Sequence, residues 1–480
     1  MNIDFFVNFL GGVNNWLYTY YLVGLLVFVG IFYSLRLGFV QIGLLAESIK
    51  VVTEKPETQK KHAEHISPFQ ALMISTASRV GIGNIAGIAF AIVAGGSGAI
   101  FWMWVMAFFG GASAFAESTL AQIYKTKDGK GFKGGPAYYM QRALNMKWMG
   151  SLFAIVLILT YAYGFNGLQS YTMTSAFEVY YNKTANANIL SFADSNWTLY
   201  IGCILAGFSA IMFFSKSHFI GKVSSVIVPY MALAYICLAL IVMILNFEKI
   251  PDVMKDILTN AFDFKAIFGG FAGSAIVIGI KRGLFSNEAG MGSAPNAAAA
   301  AHTTHPVKQG LVQSLSVFID VLVCSSSAFL VLFSSSFVAK GQELTAMPLV
   351  QSAMTEHFGS WGLYFVTIAI VLFAITSLIG NYYYAQANIK YLTKSKIIMV
   401  LFQISAVAMV FIGSQMDLKL AWELADIFMG LMATLNIIAI LFLSDIVLKA
   451  LKDYKNQRKQ GLNPKFSAKK LGIKNTECWD

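Results

Sequence analysis

Three closely spaced glycines mark the stretch RVGIGNIAG, which covers residues 79–87. Their G-x-G-x-x-x-G spacing occurs in one variant of the dinucleotide-binding loop, but that loop follows a strand and has an acidic residue about 20 positions later. Here the glycines lie inside a long apolar segment, and residues 90–110 contain no acid. Close packing between membrane helices would also use such glycines. The functional interpretation is a local unwinding that frees amides for a carboxylate and carbonyls for a bare cation.

A second glycine-rich stretch, GGFAGSAIVIGIKRGLFSNEAGMGSAP, covers residues 269–295 and carries charged side chains. Charges at membrane depth cost about 2.5–3.5 kcal/mol on insertion scales, so they should be paired or lie in a wet cavity. For Lys281 and Arg282, snorkelling at a helix end is an open alternative. Arg79 also needs a partner, and three acidic side chains are the candidates for this charge network: Glu117, Glu288 and Asp320.

The elements that must position these residues are membrane helices. Of the 480 residues, 57% are apolar and 12% are charged, which is far outside the range of soluble globular proteins. Apolar runs of about 18 or more residues, each able to cross about 30 Å of lipid bilayer, recur along almost the whole chain. The sequence predicts an all-α polytopic membrane protein with about eleven spans, at roughly 16–36, 67–94, 97–122, 147–172, 197–214, 219–246, 264–290, 310–337, 360–386, 396–413 and 420–448.

The formal net charge of +11 is explained by the orientation of the chain in the membrane. Most Lys and Arg residues fall in the connections after the odd-numbered spans and in the tail, which the positive-inside rule places in the cytoplasm, with the N-terminus outside. This placement argues against nucleic acid as a partner. The four Cys show no C-x-x-C pairing, which argues against a disulfide framework or a metal site.

The spans suggest an internal repeat, because the first stands apart and the other ten form two groups of five. Each group opens with a Gly-interrupted helix, and the two helices run in opposite directions. Such a pair points to an inverted-repeat transporter whose site lies at the helix breaks. The predicted units are an extra N-terminal helix with a cytoplasmic loop (1–66), a first repeat (67–246), a second repeat (247–450) and a basic cytoplasmic tail (451–480).

Several motifs resemble the alanine/glycine:cation symporter family, also called sodium:alanine symporters. They are VGIGN (80–84), GSGAIFWMWVMAFFG (96–110), GGPAYYMQRAL (134–144) and FSNEAGMGSAPNAAAAA (285–301). The resemblance implies a leucine-transporter-like fold with a 5+5 inverted repeat and one extra N-terminal helix. It also implies sodium-coupled uptake of a small amino acid, alanine or glycine, across a prokaryotic inner membrane, with no cofactor besides Na⁺ as the coupling ion.

Carried over residue by residue, the resemblance implies a substrate site and a sodium site. The amides of Ile82 and Gly83 would meet the substrate carboxylate, although many family members have Thr or Ser where this chain has Ile82. Gln169 would contact the amino group. The expected substrate-binding residues are Gly81, Ile82, Gly83, Asn84, Gly164, Gln169, Gly273, Ser274 and Gly279. The expected sodium ligands are Ala77, Val80, Thr376 and Ser377.

The residues alone leave alternatives to this interpretation. Ser and Thr in membrane helices most often bond back to their own helix. Neutral oxygens favour sodium, but Asp320 and Glu117 keep proton coupling open. A glutamine carrier of the same family is the nearest rival. A channel would need a continuous polar lining, and an enzyme would need a nucleophile with a base or a metal triad, neither of which we find in the spans.

Two shorter motifs complete the expectations. GGPAYYMQRAL begins a helix at Pro136 and predicts a short amphipathic helix at the cytoplasmic interface, near an inner gate. Its alternative is a well-packed loop. The pair His302 and His305 precedes a proline and has no third ligand nearby, which argues against a metal site.

Overall fold

The computed structural model describes residues 3–54, 66–129, 131–181, 196–215, 217–263, 273–335, 344 and 346–479. About four-fifths of these residues are helical. In chain order the helices are Ile3–Leu17, Tyr18–Leu22, Val23–Arg36, Val40–Gly43, Leu45–Thr53, Pro68–Arg79, Ile82–Gly95, Gly98–Ile123, Pro136–Arg142, Lys147–Ile158, Leu159–Phe165, Asn166–Ser175, Glu178–Tyr181, Trp197–Phe213, Ser217–Leu245, Phe247–Lys249, Ile250–Ala261, Ala275–Asn287, Pro295–Ala300, Pro306–Leu332, Ala346–Leu392, Lys396–Ser414, Leu418–Phe442 and Ser444–Lys459. A small antiparallel hairpin pairs Thr126–Asp128 with Gly131–Lys133.

Nine helical segments of the described chain are long and apolar enough to cross a membrane, and Trp197–Phe213 is a shorter apolar helix. The predicted class, an all-α polytopic membrane protein, is therefore confirmed, whereas the count of eleven spans is not. Part of the predicted span 264–290 lies outside the described residues, since these resume at residue 273. The predicted span 360–386 begins where the helix resumes after Gly359, whose φ of +63° interrupts Ala346–Leu392, and the helix continues to Leu392.

Two of the helices are broken, and we name them with three helices that pack beside them. The first broken helix comprises Pro68–Arg79 and Ile82–Gly95, and the second comprises Ala275–Asn287 and Pro295–Ala300. Their neighbours are the Glu117 helix (Gly98–Ile123), the Asp320 helix (Pro306–Leu332) and the Ser377 helix (Ala346–Leu392). These five helices contain most of the buried polar side chains of the described chain.

The residues after Lys459 fold back onto one end of the bundle, which we call the tail face. The indole Nε1 of Trp479 donates to the carbonyl of Gln122 at 2.6 Å, and the Phe466 amide donates to the carbonyl of Thr304 at 3.0 Å. Lys125 Nζ lies 4.5 Å from the Trp479 ring centroid, and burial lowers the pKa of this lysine to about 7. The tail therefore packs against the end of the Glu117 helix, at Gln122, and against the segment just before the Asp320 helix, at Thr304.

Candidate functional site

The first break lies at Val80 and Gly81. The helix that begins at Pro68 ends at Arg79, and Gly81 has an extended backbone, with φ −136° and ψ −150°, before helix resumes at Ile82. The amide of Gly81 donates to Asn84 Oδ1 at 2.9 Å, so the Asn84 side chain caps the second half of the helix. The predicted unwinding is thus present at the expected residues, and it leaves helix-terminal backbone groups in the protein interior.

The amides after the break face a polar side chain from another helix. Ile82 N donates to Gln169 Oε1 at 3.4 Å. The Ile82 amide is one of the two backbone donors that we expect to bind the substrate carboxylate. In this structure it donates to Gln169 instead. At Gly83, a Cβ would lie 2.7 Å from the Phe285 ring, so the absence of a side chain there lets the second broken helix approach closely.

The expected sodium ligands separate into two kinds of contact. Ser377 Oγ donates to the carbonyl of Ala77 at 3.0 Å, across the interface between the Ser377 helix and the first broken helix. Thr376 Oγ1 instead bonds back within its own helix, 3.0 Å from the carbonyls of Leu372 and Phe373. The structure therefore brings Ser377 and Ala77 together next to the break that Val80 begins, while Thr376 shows the local bonding common for such hydroxyls.

The second break spans Glu288 to Ala294, inside the glycine-rich stretch 269–295 but after the expected substrate residues Gly273, Ser274 and Gly279. Glu288, Gly290 and Gly292 all have positive φ, of 54°, 84° and 84°. The amide of Gly292 donates to Glu117 Oε2 at 3.0 Å, and Asn436 Nδ2 donates to the same oxygen at 2.7 Å. A carboxylate from the Glu117 helix therefore satisfies backbone that the break leaves unpaired.

Three of the predicted substrate-site residues lie elsewhere. Ser274 caps the Ala275–Asn287 helix, and Gly273 precedes it. A Cβ at Gly279 would overlap the carbonyl of Ala99, so this glycine serves contact with the Glu117 helix. Its neighbour Ile278 packs against Gly95, which is the last residue of the helix that begins at Ile82. At a rise of 1.5 Å per residue, Gly95 lies roughly 20 Å from the first break.

The predicted residue Gly164 also has a packing contact. It lies in the wide helical turn Leu159–Phe165, where a Cβ would be 3.3 Å from Ala425 Cα. The structure thus gathers Gly81, Ile82, Gly83, Asn84 and Gln169 at one place, and it puts Gly164 against the Leu418–Phe442 helix. Glycine spacing could not distinguish a helix break from close helix packing.

The Pro136–Arg142 helix packs against the second break. Its first five residues are buried, and its last residue, Arg142, pairs with Glu477 of the tail at 2.7 Å, so the helix begins inside the bundle and ends at the tail face. A Cβ at Gly292 would lie 2.7 Å from Pro136 Cγ, and the Tyr139 hydroxyl bonds to Asn436 Oδ1. The GGPAYYMQRAL motif therefore supports the backbone of the second broken helix.

The predicted direct pairing of Arg79 with a carboxylate is not found. Arg79 is buried, its Nη1 donates to the carbonyl of Gln313 at 3.3 Å, and its Nε and Nη2 have no hydrogen-bond partner among the described residues. The charge network is nevertheless present at longer range, because Arg79 interacts electrostatically with three buried carboxylates: Glu117, Glu288 and Asp320. Burial of these groups explains why hydroxyls from Ser78 and Ser293 bond to Glu288 at 2.8 and 2.7 Å.

Sequence reasoning missed Asp426, which pairs with the two basic residues of the second broken helix. Lys281 Nζ lies 2.7 Å from Asp426 Oδ2, and Arg282 bonds to the same oxygen. Arg282 and Asp426 are only 3% and 2% exposed, so Arg282 does not snorkel, and it lies 4.1 Å from the Trp422 ring centroid. An acidic residue inside the otherwise apolar span Leu418–Phe442 was the signal that could have identified this partner.

An aromatic group lies beside the break on the same side as Asp426. Phe285 is 4.8 Å from Phe165 and 5.0 Å from Trp422, centroid to centroid, and Trp422 stacks on Phe90 at 5.6 Å. Phe90 is eight residues beyond Ile82, or about 12 Å along the helix. The aromatic rings and the Asp426 cluster therefore close the space beyond the break, away from the tail face.

Two interrupted helices packed side by side in a bundle of membrane-spanning helices are the arrangement of the leucine-transporter fold. A solved structure of MhsT in complex with L-phenylalanine matches this fold with a TM-score of 0.54 and 12% identity, covering 81% of this chain and 98% of that chain. The sequence profile of the sodium:alanine symporter family matches residues 3–468. The chain belongs to the sodium:alanine symporter family, and it is a transporter, not an enzyme.

Relatives with assigned names support this membership. A probable sodium/glutamine symporter of Bacillus subtilis is 46% identical over 98% of this chain and 95% of its own length. An amino-acid carrier protein of the same organism is 44% identical over 97% and 95%. A sodium/alanine symporter of Methanococcus maripaludis is 38% identical over 95% and 98%. The chain is therefore similar to relatives named for two different amino acids.

Proposed function

We propose that this protein imports a small neutral amino acid, alanine or glycine, together with sodium by alternating access. The observation that carries the proposal is the break at Val80 and Gly81, with the Ile82 amide facing Gln169 on one side and Ser377 reaching the Ala77 carbonyl on the other. Backbone donors and backbone acceptors freed at one place suit a carboxylate and a cation side by side.

The amides of Ile82 and Gly83 are proposed to bind the substrate carboxylate. They begin a helix, where backbone N–H groups lack partners within the helix and the dipole favours negative charge. Gln169 Oε1 accepts from the Ile82 amide, so a carboxylate and Gln169 would compete for this donor. Once displaced, the Gln169 carbonyl oxygen could accept from the ammonium group, which agrees with the contact that the family resemblance implies.

Sodium is proposed to bind between the first broken helix and the Ser377 helix. Hard cations prefer oxygen ligands, and neutral carbonyl and hydroxyl oxygens suffice for a monovalent ion. Ser377 already spans this interface to Ala77, and the carbonyl of Val80 belongs to the interrupted backbone. Rotation of the Thr376 hydroxyl away from its own helix would supply a further ligand.

Glutamine is the second candidate substrate. It is favoured by the 46% identity to the probable sodium/glutamine symporter. The Phe285 ring lies against Gly83 and packs on the Phe165 ring at 4.8 Å, which favours a substrate with a short side chain instead. Proton coupling is a third possibility, because a relative 40% identical to this chain is named a putative sodium/proton-dependent alanine carrier.

Uptake into proteoliposomes tests the proposal. Labelled alanine, glycine and glutamine are each offered with an inward sodium gradient, with equal sodium on both sides, and with a pH gradient alone. One sodium ion moved through 100 mV with a tenfold gradient supplies about 3.7 kcal/mol, enough for roughly 500-fold accumulation of a neutral substrate. Uptake that responds only to the pH gradient would contradict sodium coupling, and flux without accumulation would indicate a channel.

The proposed orientation has the N-terminus outside and the tail face in the cytoplasm of a prokaryotic inner membrane. The basic tail supports it, because residues 449–474 contain nine Lys or Arg and one acidic residue. Labelling of single introduced cysteines with a membrane-impermeant maleimide in whole cells tests it. Cysteines introduced at Asn246 and at Lys469 should be labelled and protected, respectively.

A further inference from the structure

The carboxylate of Asp320 joins the two broken helices. Asn84 Nδ2, on the first broken helix, donates to Asp320 Oδ1 at 2.6 Å. Ser286 Oγ, on the second broken helix, donates to Asp320 Oδ2 at 2.8 Å. All three side chains are buried. One side chain from a third helix therefore holds a donor from each of the two helices that bound the candidate site.

The same carboxylate fixes the orientation of the Asn84 amide. Asn84 Oδ1 accepts from the Gly81 amide at 2.9 Å, while its Nδ2 faces Asp320. A carboxylate only accepts hydrogen bonds, so a flipped Asn84 would put its oxygen against Asp320 and its NH₂ against the Gly81 N–H. Asp320 thus keeps the Asn84 oxygen on Gly81, and that cap holds the break open next to Ile82.

The hydrogen bonds around Asp320 favour an ionised carboxylate, because its two oxygens face the donors Asn84 Nδ2, Ser286 Oγ and Cys324 Sγ. Arg79 of the first broken helix interacts with it favourably, and two further buried carboxylates share that arginine: Glu117 and Glu288. Cys324, one turn along the Asp320 helix, has its Sγ 2.9 Å from Ser286 Oγ and 3.2 Å from Asn84 Nδ2. Hydrogen bonds to a charged acceptor are about twice as strong as hydrogen bonds between neutral groups. The hydrogen bonds from Asn84 and Ser286 to Asp320 should therefore be strong.

We propose that Asp320 is a positioning residue for amino-acid transport, setting the spacing of the two broken helices and the orientation of Asn84 that leaves the Ile82 and Gly83 amides free for the substrate carboxylate. The role rests on the proposed function of those amides. Asp320 acts through Asn84 and Ser286 and does not itself bind the amino acid.

Uptake kinetics of the full chain in proteoliposomes, at saturating sodium, test this role. Asp320→Asn keeps the volume of the side chain but replaces one hydrogen-bond acceptor by a donor. We expect this variant to show a KM about tenfold higher or more for the amino acid that the wild type transports. Ser286→Ala should raise KM by a smaller factor, and the double variant should be no worse than Asp320→Asn alone. Asp320→Glu, which restores both acceptors, should recover part of the affinity.

Ser316→Ala is the matched control. Ser316 lies one turn before Asp320 on the same helix and contacts Thr76 of the first broken helix at 3.2 Å, so its loss removes a buried hydroxyl contact between the same two helices. We expect its KM to stay at the wild-type value. An equal rise in KM for Ser316→Ala and Asp320→Asn would show a general packing defect and overturn the proposal.

A second readout does not depend on transport. In protein whose only cysteine is Cys324, with Cys203, Cys237 and Cys478 replaced by Ser, Asp320→Asn should speed alkylation of Cys324 by N-ethylmaleimide several-fold, because the tie beside the thiol is lost. If wild-type protein transports none of the three amino acids, the proposed function fails while this readout still tests the tie. Unchanged alkylation, an unchanged KM, or a shift confined to the sodium dependence would each overturn the positioning role.

Discussion

Gly81 lies where the first broken helix, Gln169 and Ser377 meet. A Cβ at this position would overlap Ser377 Oγ and lie 2.9 Å from Gln169 Nε2, so no larger residue fits without shifting both. Overpacking costs about 1–3 kcal/mol, and here it falls on the sodium and substrate ligands together. We expect Gly81→Ala to reduce sodium-dependent uptake to below about a tenth of the wild type, measured in proteoliposomes at equal protein density.

Gly87 provides the control for this substitution. It lies in the same helix, and a Cβ there would meet Trp422 at an ordinary contact distance of 3.5 Å. Gly87→Ala should therefore keep uptake near wild type and, if anything, stabilise the helix by about 1 kcal/mol. If both alanine variants lose uptake to the same degree, the close contacts of Gly81 are not the cause.

Ser377 and Thr376 should differ in their effect on sodium. Ser377 reaches the Ala77 carbonyl, whereas Thr376 bonds to its own helix. We expect Ser377→Ala to raise the sodium concentration for half-maximal uptake about tenfold, the loss typical of a hydrogen bond or ligand to a charge. Thr376→Ala should produce a smaller rise. The measurement is uptake at fixed amino acid over a range of sodium, and the reverse order would place the ion nearer to Thr376.

At the scale of elements, the pairing of Asp426 with Lys281 and Arg282 ties the second broken helix to the Leu418–Phe442 helix. Removing one partner of a buried ion pair leaves an uncompensated charge and costs about 3–5 kcal/mol. We therefore expect Asp426→Asn to lower the thermal unfolding temperature strongly, measured by tryptophan fluorescence in detergent. The additional change Lys281→Met should restore part of that loss.

The ion pair between Arg36 and Asp445 serves as the control, since these side chains are 31% and 78% exposed. Exposed pairs contribute about 0–1 kcal/mol, so Asp445→Asn should leave the unfolding temperature nearly unchanged. If Asp426→Asn has the same unfolding temperature as Asp445→Asn, the prediction is wrong. Lys281 and Arg282 would then have found another partner or solvent.

Features that depend on a local stretch of sequence could be predicted, whereas features that depend on packing between helices could not. Hydropathy and the glycines of RVGIGNIAG were enough to predict membrane helices and the break at Gly81, because both are properties of a local stretch. From the second broken helix, Gly273, Ser274 and Gly279 were expected at the site, whereas the break begins at Glu288, since glycines that serve helix contact, such as Gly279, have the same spacing as glycines that interrupt a helix. Asp426 was missed because its partners lie about 145 positions earlier in the chain.

At the scale of the whole molecule, the tail closes one end of the bundle through His305. This histidine packs between Tyr454 and Phe466, its Nδ1 accepts from the Val307 amide at 3.2 Å, and its Nε2 lies 3.3 Å from Asp453. Burial lowers the pKa of His305 to about 4, despite the opposing effect of Asp453. The imidazole is therefore neutral at physiological pH, which its acceptor role toward Val307 requires.

The sign of the pH dependence follows from this shift. The pKa of His305 is about 4 in the folded protein against about 6.5 in an unfolded chain. Its contribution to stability is therefore fully present above pH 6.5 and is lost as pH falls through 4. We expect proteolysis of the tail to accelerate over this range. His305→Asn, which can cap the helix without titrating, should flatten the profile, and an unchanged profile would assign it to another group.

The position of Arg79 has a consequence for biogenesis. Its electrostatic partner Asp320 is 241 residues further along the chain, which takes about 12–48 s to synthesise at about 5–20 residues per second. Through that interval the arginine has entered the bilayer without Asp320, at an insertion cost of about 2.5–3.5 kcal/mol. Glu117, 38 residues after Arg79, is the one carboxylate of the three that is made early in that interval, so the helices that carry Arg79 and Glu117 should enter the membrane together, before Glu288 and Asp320 are synthesised.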